Sequence, residues 1–373
     1  MIRFLTAGES HGSCLIGVIE GLPAGLPVDV AAIDAELARR QRGYGRGVRM
    51  EIERDQVEVL SGVIDGRTTG APIALRIVNR DGEDWRERMS PRDRPRWTIP
   101  RPGHADYAGM FKYGLEDAWP VRERASARET AMRVAIGALL RPLLARFHIT
   151  VGSLVTQIGG VGASFSEEVT EALLEHAEAN DLRCPDADAT ARMREAIDAA
   201  TVAGDTLGGV FWVVALGVPV GLGSHVHWER RLDARLAAAV MSIPGVKGIE
   251  IGPAFENARL AGNQVHDALF PDGKGGVRRE TNRAGGIEGG ISNGEPIVVR
   301  AAMKPLPSTR RALPSVDLAT GEASVPPYQR ADVCAVPAAA VVGEAMVCWV
   351  LAEALVEKYG GDSLAEMLRC ATS

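Results

Sequence analysis

Gly8-Glu9-Ser10-His11-Gly12 sets a hydroxyl beside an imidazole in a glycine-flanked turn at the end of a short apolar stretch. Glycine on either side lets the backbone bring Ser10 and His11 up to a ligand without Cβ crowding. A second histidine has a similar setting in Arg101-Pro102-Gly103-His104-Ala105-Asp106, and Asp332 follows Arg330 just ahead of a long apolar run. Two imidazoles and a carboxylate are groups suited to proton transfer and to stabilising charge on a leaving group. By position alone, Asp332 reads either as an arginine's partner or as a base held near a ligand.

Arginine is dense from Arg39 to Arg49, where Arg40, Arg46 and Arg49 are interleaved with glycines. Guanidinium forks match phosphate and carboxylate bidentately. The alternative is a helix end carrying favourable cations. Arg46 and Arg49 lie beyond the predicted helix, in turn-like sequence, which points to an anion. Ser126-Ala127-Arg128-Glu129 reads as a capping box, with the Ser126 hydroxyl on the N3 amide. Arg124 and Arg128 flank that helix start, whose free amides attract phosphate. Gly285–Gly294, followed by Lys304-Pro305, forms another glycine-rich cradle. Neither a Gly-x-Gly-x-x-Gly turn nor a Gly-Lys-Ser/Thr loop is present, so a bound nucleotide requires an uncommon fold. His225 and His227 read as one face of an alternating strand but lack further ligands for a metal. His148, His176 and His266 read as surface residues.

The 373 residues carry a net charge of −6, with 46% hydrophobic and 24% charged side chains. That balance predicts a soluble globular protein and counts against general nucleic-acid binding, although an arginine-patch RNA binder is the non-enzyme alternative. The N-terminus does not read as a signal peptide, and no apolar run reads as reaching the roughly 18 residues that span a bilayer. Five cysteines without CxxC spacing predict a reducing, cytoplasmic setting.

Three features recur in the same order. Residues 16–38 and 212–237 each read as a strand, a Gly-x-Pro-x-Gly-Leu turn and an amphipathic helix. Thr69-Gly70-Ala71-Pro72 is echoed by Asn293-Gly294-Glu295-Pro296, and Arg124-Ala125-Ser126 by Arg330-Ala331-Asp332. Each of the last pair precedes an apolar helix, predicted at 127–147 and 337–358. Both helices are apolar around most of their circumference and should be buried between layers. The expected fold is therefore α+β: a β-α-β sandwich with a helical layer between antiparallel sheets. It is expected to be one domain of two similar halves, about 1–150 and 151–373. Residues 80–119, anchored by Trp85, Trp97 and Trp119, read as one long functional loop; 264–285 and 307–328 read as mobile loops.

With these residues in place, the chain resembles the chorismate synthase family almost end to end. The resemblance rests on Gly8–Gly12 through Pro23, Arg39–Met50, Arg101–Asp106, Ser126–Thr130, Gly289–Gly294 and Arg330–Met346. It implies a carbon–oxygen lyase that converts 5-enolpyruvylshikimate 3-phosphate into chorismate by anti-1,4-elimination of phosphate. Reduced FMN takes part with no net redox change, which separates this reading from an ordinary flavin oxidoreductase. By the same resemblance His11 serves the leaving phosphate, His104 the reduced flavin, and Asp332 proton movement at flavin N5. FMN contacts carry over to Arg124, Ala125, Ser126, Pro244, Gly245, Gly289, Lys304, Pro305, Leu306, Pro307, Ser308 and Arg330. Arg40 and Arg46 are implied to hold NADP or the substrate phosphate, with Ser10, Arg49 and Arg128 beside the substrate. A cytoplasmic homotetramer, with NADPH as a possible reductant, is also implied. Ala125 stands where the family usually has serine, and Pro244-Gly245 replaces the usual Gln/Asn-Ala.

Overall fold

A computed structural model describes residues 1–47, 49–81, 95–165, 168–329 and 331–372. Val48, Trp85 and Arg330 lie outside the described residues.

The first sheet contains β1 (Arg3–Ala7), β2 (Cys14–Glu20), β3 (Val57–Val59) and β4 (Ile73–Val78), in the order β1-β2-β4-β3. The second contains β5 (Thr150–Ile158), β6 (Val161–Gly162), β7 (Gly209–Leu216), β8 (Val246–Ile251) and β9 (Ile297–Met303), in the order β8-β9-β7-β5-β6. All pairings within these two sheets are antiparallel. Between the sheets lie α1 (Val30–Gln41), α5 (Thr130–Arg146), α6 (Leu232–Met241) and α7 (Val336–Tyr359). Four shorter elements shape the site: α2 (Arg49–Ile52), α3 (Asp106–Tyr113), α4 (Trp119–Arg124) and a 3-10 turn at Ala127–Glu129.

The layering follows from side-chain period. On β4, Ile73, Leu75 and Ile77 are fully buried on one face, as a two-residue repeat requires when one side meets the helices. On β7 the buried run is continuous. Phe211, Val213 and Ala215 join the interlayer core, while Trp212 and Val214 pack outward with Leu154 and Leu174. A strand covered on both faces reads as an unbroken apolar run, which is why alternation there is poor. The central helices touch because Gly137 on α5 carries no Cβ; one added there would stand 2.4 Å from the Ala345 Cα of α7.

Three expectations change on contact with the structure. Residues 80–119 are not one long loop, because α3 lies inside them, closed by Gly114 in the left-handed conformation. His225 and His227 share no strand face; the stretch is turn leading into a 3-10 helix at Trp228–Arg230. The segments 264–285 and 307–328 contain short hairpins, Leu269–Pro271 with Val277–Arg279 and Ser315–Val316 with Ala323–Ser324. Further, α7 is long and apolar enough by length and composition to cross a membrane, contrary to the sequence reading, but is mostly buried in the fold. Its charged residues explain the misreading: Glu344 and Glu353 interrupt the run and are buried against arginines.

Glu344, fully buried, joins the layers. It accepts from Arg39 Nη1 at 2.9 Å, Arg183 Nη2 at 2.7 Å and Ser153 Oγ at 2.6 Å, and also pairs with Arg141. Burial raises its carboxyl pKa, but Arg39, Arg183 and Arg141 outweigh that and hold it down at about 2, against an ordinary 4.5. Removing the carboxylate leaves three guanidiniums without it, so Glu344→Ala is expected to cost about 3–5 kcal/mol by urea unfolding at pH 7. Because the folded pKa is depressed, the ionised group stabilises fully above pH 4.5 and the gain is lost as pH falls toward 2. The difference between the two proteins should therefore be flat from about pH 6 to 8 and narrow below about pH 4.

Candidate functional site

Ser10 and His11 sit in the turn between β1 and β2, pinned to the end of α4. The Ser10 amide donates to the Glu123 carbonyl at 3.1 Å, and the His11 amide donates to Glu123 Oε2 at 2.7 Å. Glu123 Oε1 stands 2.8 Å from His11 Nδ1. An ionised carboxylate only accepts, so this contact puts a proton on Nδ1 and fixes the ring plane. Glu123 escapes a reading of the sequence; nothing local marks one carboxylate in Trp119–Arg124 as the partner of a ring 112 positions earlier.

Arg49 Nη1 donates to Ser10 Oγ at 2.8 Å and Nη2 to the Ser10 carbonyl at 2.6 Å, while Ser126 Oγ donates to Ser10 Oγ at 3.1 Å. The capping box is only half formed. Ser126 caps the 3-10 turn through the Arg128 amide, whereas Glu129 accepts from Thr6 Oγ1 at 2.7 Å and Arg133 Nε at 2.9 Å. A charged guanidinium outcompetes the Ser126 amide for that carboxylate.

Behind Ser126 lies a cationic floor. Arg40 Nε donates to Thr130 Oγ1 and Nη2 to the Ala127 carbonyl, both at 3.0 Å, while Nη1 is buried with no hydrogen bond among the described residues. Burial, only partly offset by Asp55 and worsened by Arg46 and Arg128 nearby, pushes the Arg40 guanidinium down to about 10. Arg46 Nη1 pairs with Asp332 Oδ2 at 2.9 Å, and the Gly47 amide donates to Asp332 Oδ1 at 2.7 Å. Asp332 is thus an arginine's partner and also within electrostatic reach of Arg40. Arg128 is saturated: Nη1 reaches both Asp55 oxygens at 2.7 and 2.8 Å, Nε reaches Asn79 at 2.9 Å, and Nη2 reaches Glu53 at 3.4 Å.

The second histidine loop is held from both sides. Asp106 Oδ1 is 2.5 Å from His104 Nδ1, and Arg101 donates Nε to Asp106 Oδ2 at 2.9 Å. Burial alone raises the Asp106 carboxyl, but hydrogen bonds from His104 and Arg101 hold it well below the usual carboxylate range. With Nδ1 donating to Asp106, the 3.0 Å approach of Arg101 Nη2 to the same nitrogen is not a hydrogen bond; Nη2 donates instead to Asp106 Oδ1 at 3.1 Å. Arg101 Nη1 reaches Ser308 Oγ at 3.2 Å and Gln329 at 3.0 Å, and Lys304 Nζ donates to the Gly103 carbonyl. Ring contacts run from the first loop toward the chain that enters the second: His11 stacks on Trp119, with centroids 6.1 Å apart, and Trp119 meets Trp97 at 5.6 Å.

The remaining sequence-predicted residues are placed as follows. Arg124 donates Nη2 to the Thr6 carbonyl at 2.8 Å and Nη1 to the Gly8 carbonyl at 3.2 Å, so it braces the Ser10 turn; Ala125 caps α4. Pro244-Gly245 leads into β8, and the Gly245 carbonyl accepts from the Lys304 amide at 2.9 Å. Leu306 accepts from Thr206 Oγ1, and Pro307 and Ser308 line a narrow cleft with Arg101, Pro102 and Gln329. Gly289 lies in a tight hairpin where an added Cβ meets nothing within 4 Å. A larger cavity of about 520 Å³, lined by Phe4, Arg124, Arg133, Arg235, Met346 and Trp349 among others, shares only Arg124 with the predicted site. His148, His176 and His266 are exposed.

These residues fit a bound flavin nucleotide. Burial and nearby Lys247 lower the Lys304 ammonium, a strain that an anion relieves. The open space over Gly289 gives a ligand access to backbone.

Fold and site together define a mixed α+β sandwich with two braced histidine loops and a buried cluster of arginines. The chorismate synthase family model matches residues 2–356. Chorismate synthases of Desulforudis audaxviator and Geobacter metallireducens are 54% and 53% identical, covering 99% of this chain and 96% and 97% of theirs. A crystal structure of chorismate synthase superposes with a TM-score of 0.80 at 43% identity, covering 100% of this chain and 96% of the other. The chain belongs to the chorismate synthase family: it is a lyase of the last step of the shikimate pathway.

Proposed function

We propose that the chain forms chorismate from 5-enolpyruvylshikimate 3-phosphate with reduced FMN as its flavin, and that His11, His104 and Asp332 surround one substrate. The observation that carries this reading is the position of the Ser10–His11 turn. Its hydrogen bonds run to Arg49 and Ser126, beside the guanidinium floor, and its ring contacts run through Trp119 to Trp97, a few residues ahead of the His104 loop.

The substrate carries one phosphate and two carboxylates, so several cations must be held together despite their repulsion. Arg40, Arg46 and Arg49, with Ser10, take the anionic groups, over a floor that Arg128 braces through Asp55, Asn79 and Glu53; Arg40 and Arg46 equally suit the phosphate of NADPH. His11, steadied by Glu123, stabilises the leaving phosphate as charge develops on it. When bound, reduced flavin supplies the electron density that makes loss of an unacidified C6 hydrogen feasible. His104, locked by Asp106, holds a proton next to the flavin ring, and Asp332 assists proton movement at N5. The chain would grip the flavin through Arg124, Ala125, Ser126, Pro244, Gly245, Gly289, Lys304–Ser308 and Arg330. The two sheets repeat one pairing, β2 with β4 and β7 with β9, which supports a single domain of two similar halves. The working state is a cytoplasmic homotetramer that depends on other cellular reductants.

Anaerobic incubation with dithionite-reduced FMN and the enolpyruvyl phosphate should release phosphate and chorismate in equal amounts. No release, or consumption of one reductant per turnover, overturns the reading. With NADPH and oxidised FMN in place of dithionite, little turnover is expected.

A further inference from the structure

We propose that Arg122 is a ligand-binding residue of this site, taking a carboxylate or phosphate oxyanion of the substrate or the flavin; the inference rests on the proposed function. Arg122 projects from α4 and is 5% exposed, yet none of its three guanidinium nitrogens has a hydrogen-bond partner among the described residues. The guanidinium lies against the face of Trp97, its carbon 3.4 Å from the ring centroid. Stacking holds the fork flat and leaves the five donors on its edge buried and unpaired among the described residues. Arg128, equally buried at 4% exposed, shows what a structural arginine looks like here, with Asp55, Glu53 and Asn79 closing on every nitrogen.

The carboxylates within electrostatic reach of Arg122 are committed elsewhere. Asp106 is bound by His104 and Arg101, Glu123 by His11, and Asp117 accepts from the Trp97 and Trp119 amides. Arg101 adds positive charge beside it, so burial and this repulsion both disfavour the cation as it stands. A buried guanidinium with spent neighbours is costly unless something arrives to pair with it. Its place indicates what arrives. Trp97 bridges Arg122 to Trp119, which lies on His11, while Arg101 and Asp106 bring the His104 loop alongside. Arg122 is therefore linked to His11 through Trp97 and Trp119 and lies within electrostatic reach of Arg101 and Asp106, the residues that hold His104.

The test compares wild type, Arg122→Met and Arg122→Lys. Arg122→Met should raise either the KM for the enolpyruvyl phosphate or the Kd for FMN, read by fluorescence quenching, by about 10- to 100-fold. A shift in KM alone assigns the oxyanion to the substrate; a shift in Kd alone assigns it to the flavin phosphate. Arg122→Lys, which keeps the charge but not the fork, should lie between the two. A merely structural arginine would lower the folded, active fraction and hence kcat while leaving both constants unchanged, and that result overturns the inference. If Arg122→Met does not fold, Arg122→Lys decides: a rise of roughly threefold or more in either constant supports the inference, and unchanged constants overturn it. Inactive wild type would instead overturn the proposed function, so the two failures are distinguishable.

Discussion

His11→Ala is expected to lower kcat by about 10²–10⁴, the range for a group that transfers a proton or stabilises charge at the reacting atoms. The imidazole is braced on Nδ1 by Glu123 and stacked against Trp119, so its orientation is set before substrate binds. Pre-organisation of this kind makes a charge-stabilising group effective, because nothing has to reorganise as the phosphate departs. Glu123→Gln should therefore reproduce part of the loss through His11. The substituted amide can still bond the imidazole but no longer carries the charge that opposes a cationic ring. Turnover within a few-fold of wild type in His11→Ala would remove the residue from the chemistry.

His104→Ala is expected to produce a comparable fall of about 10²–10⁴. Here the bracing group is Asp106, fully buried and bound by both His104 and Arg101. Asp106→Asn breaks that arrangement at its centre and should cost activity as well as stability. Since the folded carboxyl lies below its ordinary value, its stabilisation is complete above about pH 4 and is lost at lower pH. The stability gap between wild type and Asp106→Asn should accordingly close on acidification, whereas the activity gap at neutral pH should not depend on added FMN. Saturating FMN restoring full turnover to His104→Ala would reduce the residue to a flavin anchor.

Much of the layered fold is legible because helices apolar on all sides have few places to go. Residues 337–358 read as buried between layers from composition alone, and the helix at Val336–Tyr359 is buried there. The antiparallel pairing follows from Gly, Pro and Asn turns between short strands. The candidate site is legible wherever local sequence is unusual, as at the glycine-flanked Ser10–His11 and the Arg101–Asp106 loop, whose histidines each meet a carboxylate.

Long-range partners are not legible. Glu123 braces His11 across 112 positions, and Trp97 reaches Arg122 only because α4 returns against the chain entering it. No local pattern encodes such pairings. The capping box at Ser126 fails for a related reason: its Glu129 finds Arg133 one helical turn on and Thr6 from β1. Residues 80–119 look like loop because Arg, Pro and Asp dominate their composition, but Asp106–Tyr113 still forms a helix, with Asp106 in its first turn and Gly114 closing it.

The most direct test of the central claim is a crystal structure of the chain with FMN and the enolpyruvyl phosphate bound together. The account predicts His11 within hydrogen-bonding reach, roughly 2.6–3.2 Å, of the substrate phosphate. It also predicts His104 and Asp332 on the flavin side of the same cavity, with the Arg40–Arg49 guanidiniums around the anions. Substrate bound outside these loops, or the two histidines facing separate cavities, would contradict it.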